Sequence, residues 1–151
     1  MAMGNKYGAH RVIEPKGLLP QAAQKIDNTM EIYDNEILID VSALNIDSAS
    51  FRHLWTDSEQ NEERLKEMIF SIVSERGKMQ NPVTGSGGML MGSVAEIGSA
   101  LQDRNDLKVG DRIASLVSLS LTPLHIDEIL AVHPDTDRVD IKGQAILFES
   151  G

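Results

Sequence analysis

Residues 81–111 read NPVTGSGGMLMGSVAEIGSALQDRNDLKVGD, and their reading decides the fold. Glycines stand at 85, 87, 88 and 92 in an apolar run that passes into Ser93-Val94-Ala95-Glu96-Ile97-Gly98. Glycine at this density lets a second backbone or a ligand come close to the chain. A dinucleotide-binding loop fails on spacing, because the third glycine of G-x-G-x-x-G falls at Leu90. No amphipathic helix follows. The segment 93–98 alternates and stops at glycine, as a strand does, and no Lys-Ser/Thr pair follows the glycines as a phosphate loop requires. The stretch is therefore a glycine-bearing strand that something passes closely.

Working outward, Asp57 to Arg76 carries Leu65, Met68, Ile69, Ile72 and Val73 at the spacing of one helical face. Asp57 or Ser58 suits its cap, Glu59, Glu62 and Glu63 its first turn, and Gly77 the position just past its end. Before it, Glu36 to Asn45 reads as a strand with Ile37, Ile39, Val41 and Ala43 on one face; Leu38 and Leu44 on the other imply cover on both sides. Residues 4–35, punctuated by Gly8, Pro15, Gly17 and Pro20, suit an irregular arm or short edge strands. Downstream, Leu107 to Asp111 makes a turn, and Arg112 to Leu121 reads as a strand ended by Thr122-Pro123. Leu124 to Val132 is ambiguous. A turn at 133–137 precedes a short strand at 138–141, a turn at Lys142-Gly143 and a strand at 144–148. The sum is a single, mainly β domain over 1–151 with one inserted amphipathic helix, about residues 58–76.

A net charge of −9 without any basic run argues against a nucleic-acid partner. The absence of cysteine removes disulfides, thiolate nucleophiles and zinc-thiolate sites together. No segment has the length of a signal-peptide core or a membrane span, so a soluble, cytoplasmic protein without a membrane partner is expected.

The order of EILIDVSALNIDSASF, NPVTGSGGMLMGSVAEIG and LKVGDRIASL resembles the N-terminal catalytic domain of medium-chain alcohol dehydrogenases and quinone reductases. The family's strand and turn motifs are matched by Gly92-Ser93-Val94-Ala95-Glu96-Ile97-Gly98 and Val109-Gly110-Asp111-Arg112-Ile113. That resemblance implies a GroES-like, partly open β-barrel. The flanks GNKYGAHRVIEPKGLLPQAAQKIDN, RGKMQNPVTGSGGMLMG and SLVSLSLTPLHIDEI further resemble the family of L-erythro-3,5-diaminohexanoate dehydrogenases of bacterial lysine fermentation. The resemblance implies NAD as cofactor, a small-molecule diamino acid as substrate, and a following Rossmann domain that would hold the NAD. That domain is absent from this chain, which is expected to be a fragment, inactive alone. Zinc members of the wider family place a cysteine where Asp47 stands and a His-Glu pair where Gly88 and Met89 stand, so no zinc is expected.

The implied substrate bears two ammonium groups and a carboxylate, and its oxidation needs the neutral amine, hence a base. Asp47 is the first candidate for holding the amine or taking its proton, with capping of the next helix as its plainer role. His53 is the second catalytic candidate. Ser48 stands beside Asp47, Arg52 and Lys78 suit the carboxylate, and Thr84, Ser86 and the amides of 85–88 suit a pocket floor. His10, His125 and His133 read as structural. Two alternatives stay open: a free-standing GroES-like interaction module, and carbonyl chemistry of the quinone-reductase kind. An exposed apolar surface would allow a homo-oligomer under any of these. A metal-dependent hydrolase lacks paired histidines at helical spacing.

Overall fold

A computed structural model describes residues 1–103 and 106–150. Its centre is β3 (Glu36–Ile46), an 11-residue strand flanked on both edges by antiparallel partners, β4 (Gly88–Ile97) and β7 (Arg138–Phe148). With β5 (Arg112–Ser115) and β6 (Leu124–His133) outside them, the sheet runs β5-β4-β3-β7-β6. Ile37, Ile39, Val41, Leu44 and Ile46 of β3 join one core; Leu38 joins a second with Ile32, Ile146 and Phe148. The two-sided cover read from the sequence is present at Leu38, but Leu44 is corrected to the first core, because a register shift between Val41 and Ala43 breaks the alternation.

What passes close to the glycine-rich strand is the protein's own backbone. Gly88 opens β4 at φ 143°, and a Cβ there would run into the carbonyl oxygen of Asn45 on β3. A Cβ on Gly87 would lie 2.6 Å from the amide nitrogen of Ser120 and 2.8 Å from the carbonyl oxygen of Met79.

Two helices, not one, fill the connection between β3 and β4. α1 spans Ser48–Asp57 and α2 spans Glu62–Arg76. The expected start at Asp57 or Ser58 is corrected: Asp57 ends α1 and Ser58 caps its C-terminus through a bond to Leu54 O. Glu59 and Gln60 then take φ near +57° and +58°, which no helix continues through. Asn61 caps α2 by accepting from Arg64 N at 3.0 Å. The α2 stripe is as expected, with Leu65, Ile69 and Val73 buried, each contributing about 1.5–3 kcal/mol. Gly77 closes it at φ 75°, its N–H bonded to Val73 O. α1 escaped the periodicity because its buried face carries Ser50 beside Phe51 and Leu54, diluting the apolar signal.

Two strand expectations also change. Pairing of β5 stops at Ser115, because Ser115 and Ser118 turn their hydroxyls onto the amides of Val117 and Ser120 and start a short 3-10 turn at Leu119–Leu121. Lys142-Gly143 is no turn. β7 runs straight through it, since Gly143 pairs with Val41 and Ile126 where the His125 carbonyl leaves no room for a Cβ. The ambiguous segment after Pro123 is β6, whose pairing with β7 supplies the missing signal.

The N-terminal arm contains two short paired strands, β1 (Val12–Glu14) and β2 (Lys25–Ile26). Among the described residues no helix is long and apolar enough to cross a membrane.

Candidate functional site

The site grows from the junction of β3 and α1. Asp47 leaves β3 with its N–H bonded to Gly87 O at 2.9 Å, which ties the strand end to the glycine-rich loop. Its side chain caps α1, Oδ1 accepting from Ala49 N at 3.0 Å, the plainer role read for it. The same oxygen accepts from Ser86 Oγ at 3.2 Å. Oδ2 has no partner among the described residues, and the residue is exposed.

Behind Asp47 lies a knot of hydroxyls. Ser50, one turn into α1 and fully buried, is 2.7 Å from Thr84 Oγ1, within hydrogen-bond distance of Ser86 Oγ, and donates to Ser86 O at 3.2 Å. Thr84 and Ser86 are 3.0 Å apart. Each hydroxyl both gives and accepts, so the knot can turn its protons toward a donor or an acceptor. Asp47, Thr84 and Ser86 thus come together as the sequence suggested. Ser50 was missed, because only a helix at 48–57 places its side chain against the 81–87 loop.

The exposed face of α1 forms the wall of a cavity of about 520 Å³ lined by Ser48, Arg52, His53, Thr56 and Asp57. Arg52 makes no hydrogen bond or ion pair among the described residues, leaving its guanidinium for a ligand anion. His53 also lines a neighbouring cavity of about 620 Å³ between α1, α2 and Asn81-Pro82-Val83. Its Nε2 is 3.3 Å from Asp57 Oδ2 and its Nδ1 3.1 Å from Asn81 Nδ2.

Lys78 does not join these groups. It is fully buried, with Nζ donating to Pro20 O at 2.6 Å and to Gln21 O at 3.4 Å, so its ammonium is spent anchoring the N-terminal arm. Burial, then the charge of Arg76, pulls its pKa down to about 8. The expectation that it meets a substrate carboxylate is corrected on that geometry. His10 is structural: it takes Asn5 N on Nδ1 and lies 2.8 Å from Glu36 by Nε2. His125 and His133 face Asp127 and Asp140 at the surface.

One carboxylate among hydroxyls is not a zinc donor set, and among the described residues no three His, Asp or Glu side chains gather as a metal would need. Positions 47 and 88 do lie side by side, since Gly88 pairs with Ile46.

A carboxylate with one free oxygen, a hydroxyl cluster and an unpaired guanidinium are thus carried on a mainly β frame. Residues 10–151 match the family model for the L-erythro-3,5-diaminohexanoate dehydrogenase N-terminal domain, and the chain belongs to that family. It is 66% identical over 151 residues to an L-erythro-3,5-diaminohexanoate dehydrogenase of Fusobacterium nucleatum, covering all of this chain and 44% of that protein. It is 64% identical over 148 residues to one of Acetoanaerobium sticklandii, covering 98% of this chain and 43% of that protein. The chain thus spans under half the length of these relatives.

Proposed function

We propose that the chain is the substrate-side domain, GroES-like in architecture, of an NAD-dependent dehydrogenase. The full protein would deaminate L-erythro-3,5-diaminohexanoate oxidatively to 5-amino-3-oxohexanoate and ammonia. Family membership supports the reaction class, and the observation that carries the site is the unpartnered Oδ2 of Asp47 beside the Ser50, Thr84 and Ser86 hydroxyls. NAD, held by the part of the protein outside the match, would accept the hydride from the carbon bearing the amine.

Within the chain, Asp47 binds the substrate ammonium through Oδ2 and takes one proton from it, since a nitrogen keeping all its protons has no lone pair to expel hydride. Loss of hydride leaves a carbon–nitrogen double bond. Ser86 and Thr84 hold the water that adds to that carbon; one proton of the water passes to the nitrogen, which leaves as ammonia, the other is released as the carbonyl forms, and Asp47 returns its own proton to solvent. Arg52 takes the carboxylate as a charge-assisted pair, with Ser48 beside it. His53 faces the same cavity. Two such anchors apart from the reacting carbon fix which amine meets Asp47.

The test is NADH formation by the full-length protein on addition of 3,5-diaminohexanoate. Turnover is expected, and Asp47→Asn is expected to lower kcat by roughly 10²–10⁴. No NADH, with the folded protein binding the diamino acid or not, would sink the assignment and favour an interaction module. Undiminished kcat in Asp47→Asn would remove that residue from the reaction.

A further inference from the structure

Asn81 is fully buried, and nothing in the sequence marked it beyond its place before Pro82. All four of its polar groups are engaged. Its backbone N–H donates to Ser86 O at 2.9 Å and its carbonyl accepts from Gly85 N at 2.7 Å, closing the loop that carries Thr84 and Ser86. Its Oδ1 accepts from Val83 N at 2.9 Å. The side-chain orientation follows from that bond, because only an oxygen can accept from an amide N–H. Nδ2 must therefore be the atom 3.1 Å from His53 Nδ1, and Nδ2 only donates. His53 Nδ1 has to present its lone pair, and in the neutral ring the proton resides on Nε2.

From this geometry we infer that Asn81 is a positioning residue: it holds His53 as the neutral Nε2–H tautomer, so that the ring offers the cavity a hydrogen-bond donor. Protonating the ring would set an Nδ1–H against the Asn81 amide protons, and turning the amide would break the bond to Val83. The inference rests on the reading of that cavity as the substrate's, and it divides the two catalytic candidates. Asp47 is the proton acceptor, and His53 donates through Nε2–H to an acceptor on the substrate such as its carboxylate. Nε2 is free enough to do so, being held only at the 3.3 Å approach of Asp57. The charged groups lining the two cavities that the ring borders are Asp57 and Arg52 from α1 and Arg64 and Glu67 from α2, two of each sign, while Asn81 supplies the neutral contact.

The experiment is a long-range 1H–15N correlation spectrum of the 15N-labelled chain, with His53→Gln assigning the His53 signals. The expected pattern is a protonated Nε2 and a bare Nδ1 moved upfield relative to the bare Nδ1 of His125 and His133, which have no donor among the described residues. Asn81→Asp then separates positioning from mere support of the loop, because a carboxylate still accepts from Val83 N but cannot donate to His53. It is expected to let the ring carry a proton on Nδ1, donated to the new carboxylate, and so to move the Nδ1 resonance toward that of a protonated nitrogen. A protonated Nδ1 in the native chain, an Nδ1 signal matching His125 and His133, or an unmoved Nδ1 resonance in a folded Asn81→Asp would each overturn the inference. Should Asn81→Asp fail to fold, the native spectrum decides alone. Turnover is not read, so an inactive full-length protein leaves this result standing, and its failure leaves the proposed reaction untouched.

Discussion

The guanidinium of Arg11 meets the carboxylate of Glu36 through two hydrogen bonds, Nη2 to Oε1 at 2.7 Å and Nε to Oε2 at 2.8 Å, with both side chains wholly out of solvent. Arg11 also donates to the carbonyls of Thr29 and Glu31, and Glu36 accepts from Tyr33 N, so neither charge keeps an idle polar atom. The pair pins the N-terminal arm to the first residue of β3. Removing one partner strands the other charge in the core, a loss of about 3–5 kcal/mol. Arg11→Met or Glu36→Gln should therefore lower the free energy of denaturant unfolding by that amount, and a change under about 1 kcal/mol would deny the pair its role.

The same pair gives an acid limit. Burial alone would raise the Glu36 pKa, but the Arg11 hydrogen bonds, the Tyr33 amide, the Arg11 charge and His10 together hold it below its ordinary 4.5. A carboxyl lowered in the fold binds fewer protons folded than unfolded, so its contribution is complete above 4.5 and lost as pH falls through the lower folded value. Unfolding free energy measured from pH 6 down to pH 3 should fall more steeply in the native chain than in Glu36→Gln; parallel curves would contradict this.

Asp47 has two duties that substitution can part. Asparagine caps helices about as well as aspartate, so Asp47→Asn should change stability by less than about 0.5 kcal/mol, whereas Asp47→Ala loses the bond to Ala49 N and should cost about 1 kcal/mol. Thermal unfolding of the two variants checks the order. Equal losses would mean that the carboxylate's charge, and not the bonds its Oδ1 accepts from Ala49 and Ser86, is what counts.

How much of this was readable in the chain depends on the reach of each interaction. The α2 stripe and the two-faced β3 declare themselves because burial repeats locally, at helical spacing in Leu65, Ile69 and Val73 and in the unbroken run from Glu36 to Ile39 of β3. Gly143 misled because glycine after a charged residue looks like a turn, while here a neighbouring carbonyl excludes any side chain. Asp47 was marked by the resemblance, which implies a metal ligand at its position, and Thr84 and Ser86 by their place in the glycine-rich loop. Ser50 and Asn81 were not, since their value lies in partners 34 and 28 residues away. Lys78 misled for the same reason: an ammonium beside a loop looks available until carbonyls 58 residues upstream are seen to hold it.

Gly88 supplies a test of the close approach between β3 and β4. At φ 143° an L side chain is strained, and its Cβ would drive into the Asn45 carbonyl, which is backbone and cannot swing aside. Gly88→Ala should cost at least about 1–3 kcal/mol and shift the amide resonances of Asn45, Ile46 and Asp47. Since Asp47 is anchored to Gly87 O, the displacement would reach the site as well. A Gly88→Ala protein as stable as the native one would mean that the strands can part at no cost.

Lys78 works in the opposite sense to Glu36. Its pKa is lowered in the fold from 10.5 to about 8, by burial first and the Arg76 charge second. Between those values the unfolded chain carries a proton there that the folded chain has released, so stability from this residue rises as pH climbs from 8 toward 10.5 and is lowest below 8. Lys78→Met has no such proton, but it also loses the bonds to Pro20 and Gln21. The native-minus-variant difference in unfolding free energy should therefore move in favour of the native chain between pH 7.5 and 10, on the order of 1 kcal/mol or more. A difference flat across that range would show that the ammonium keeps its charge and its two carbonyl partners throughout, and that the anchor of the N-terminal arm is indifferent to alkali.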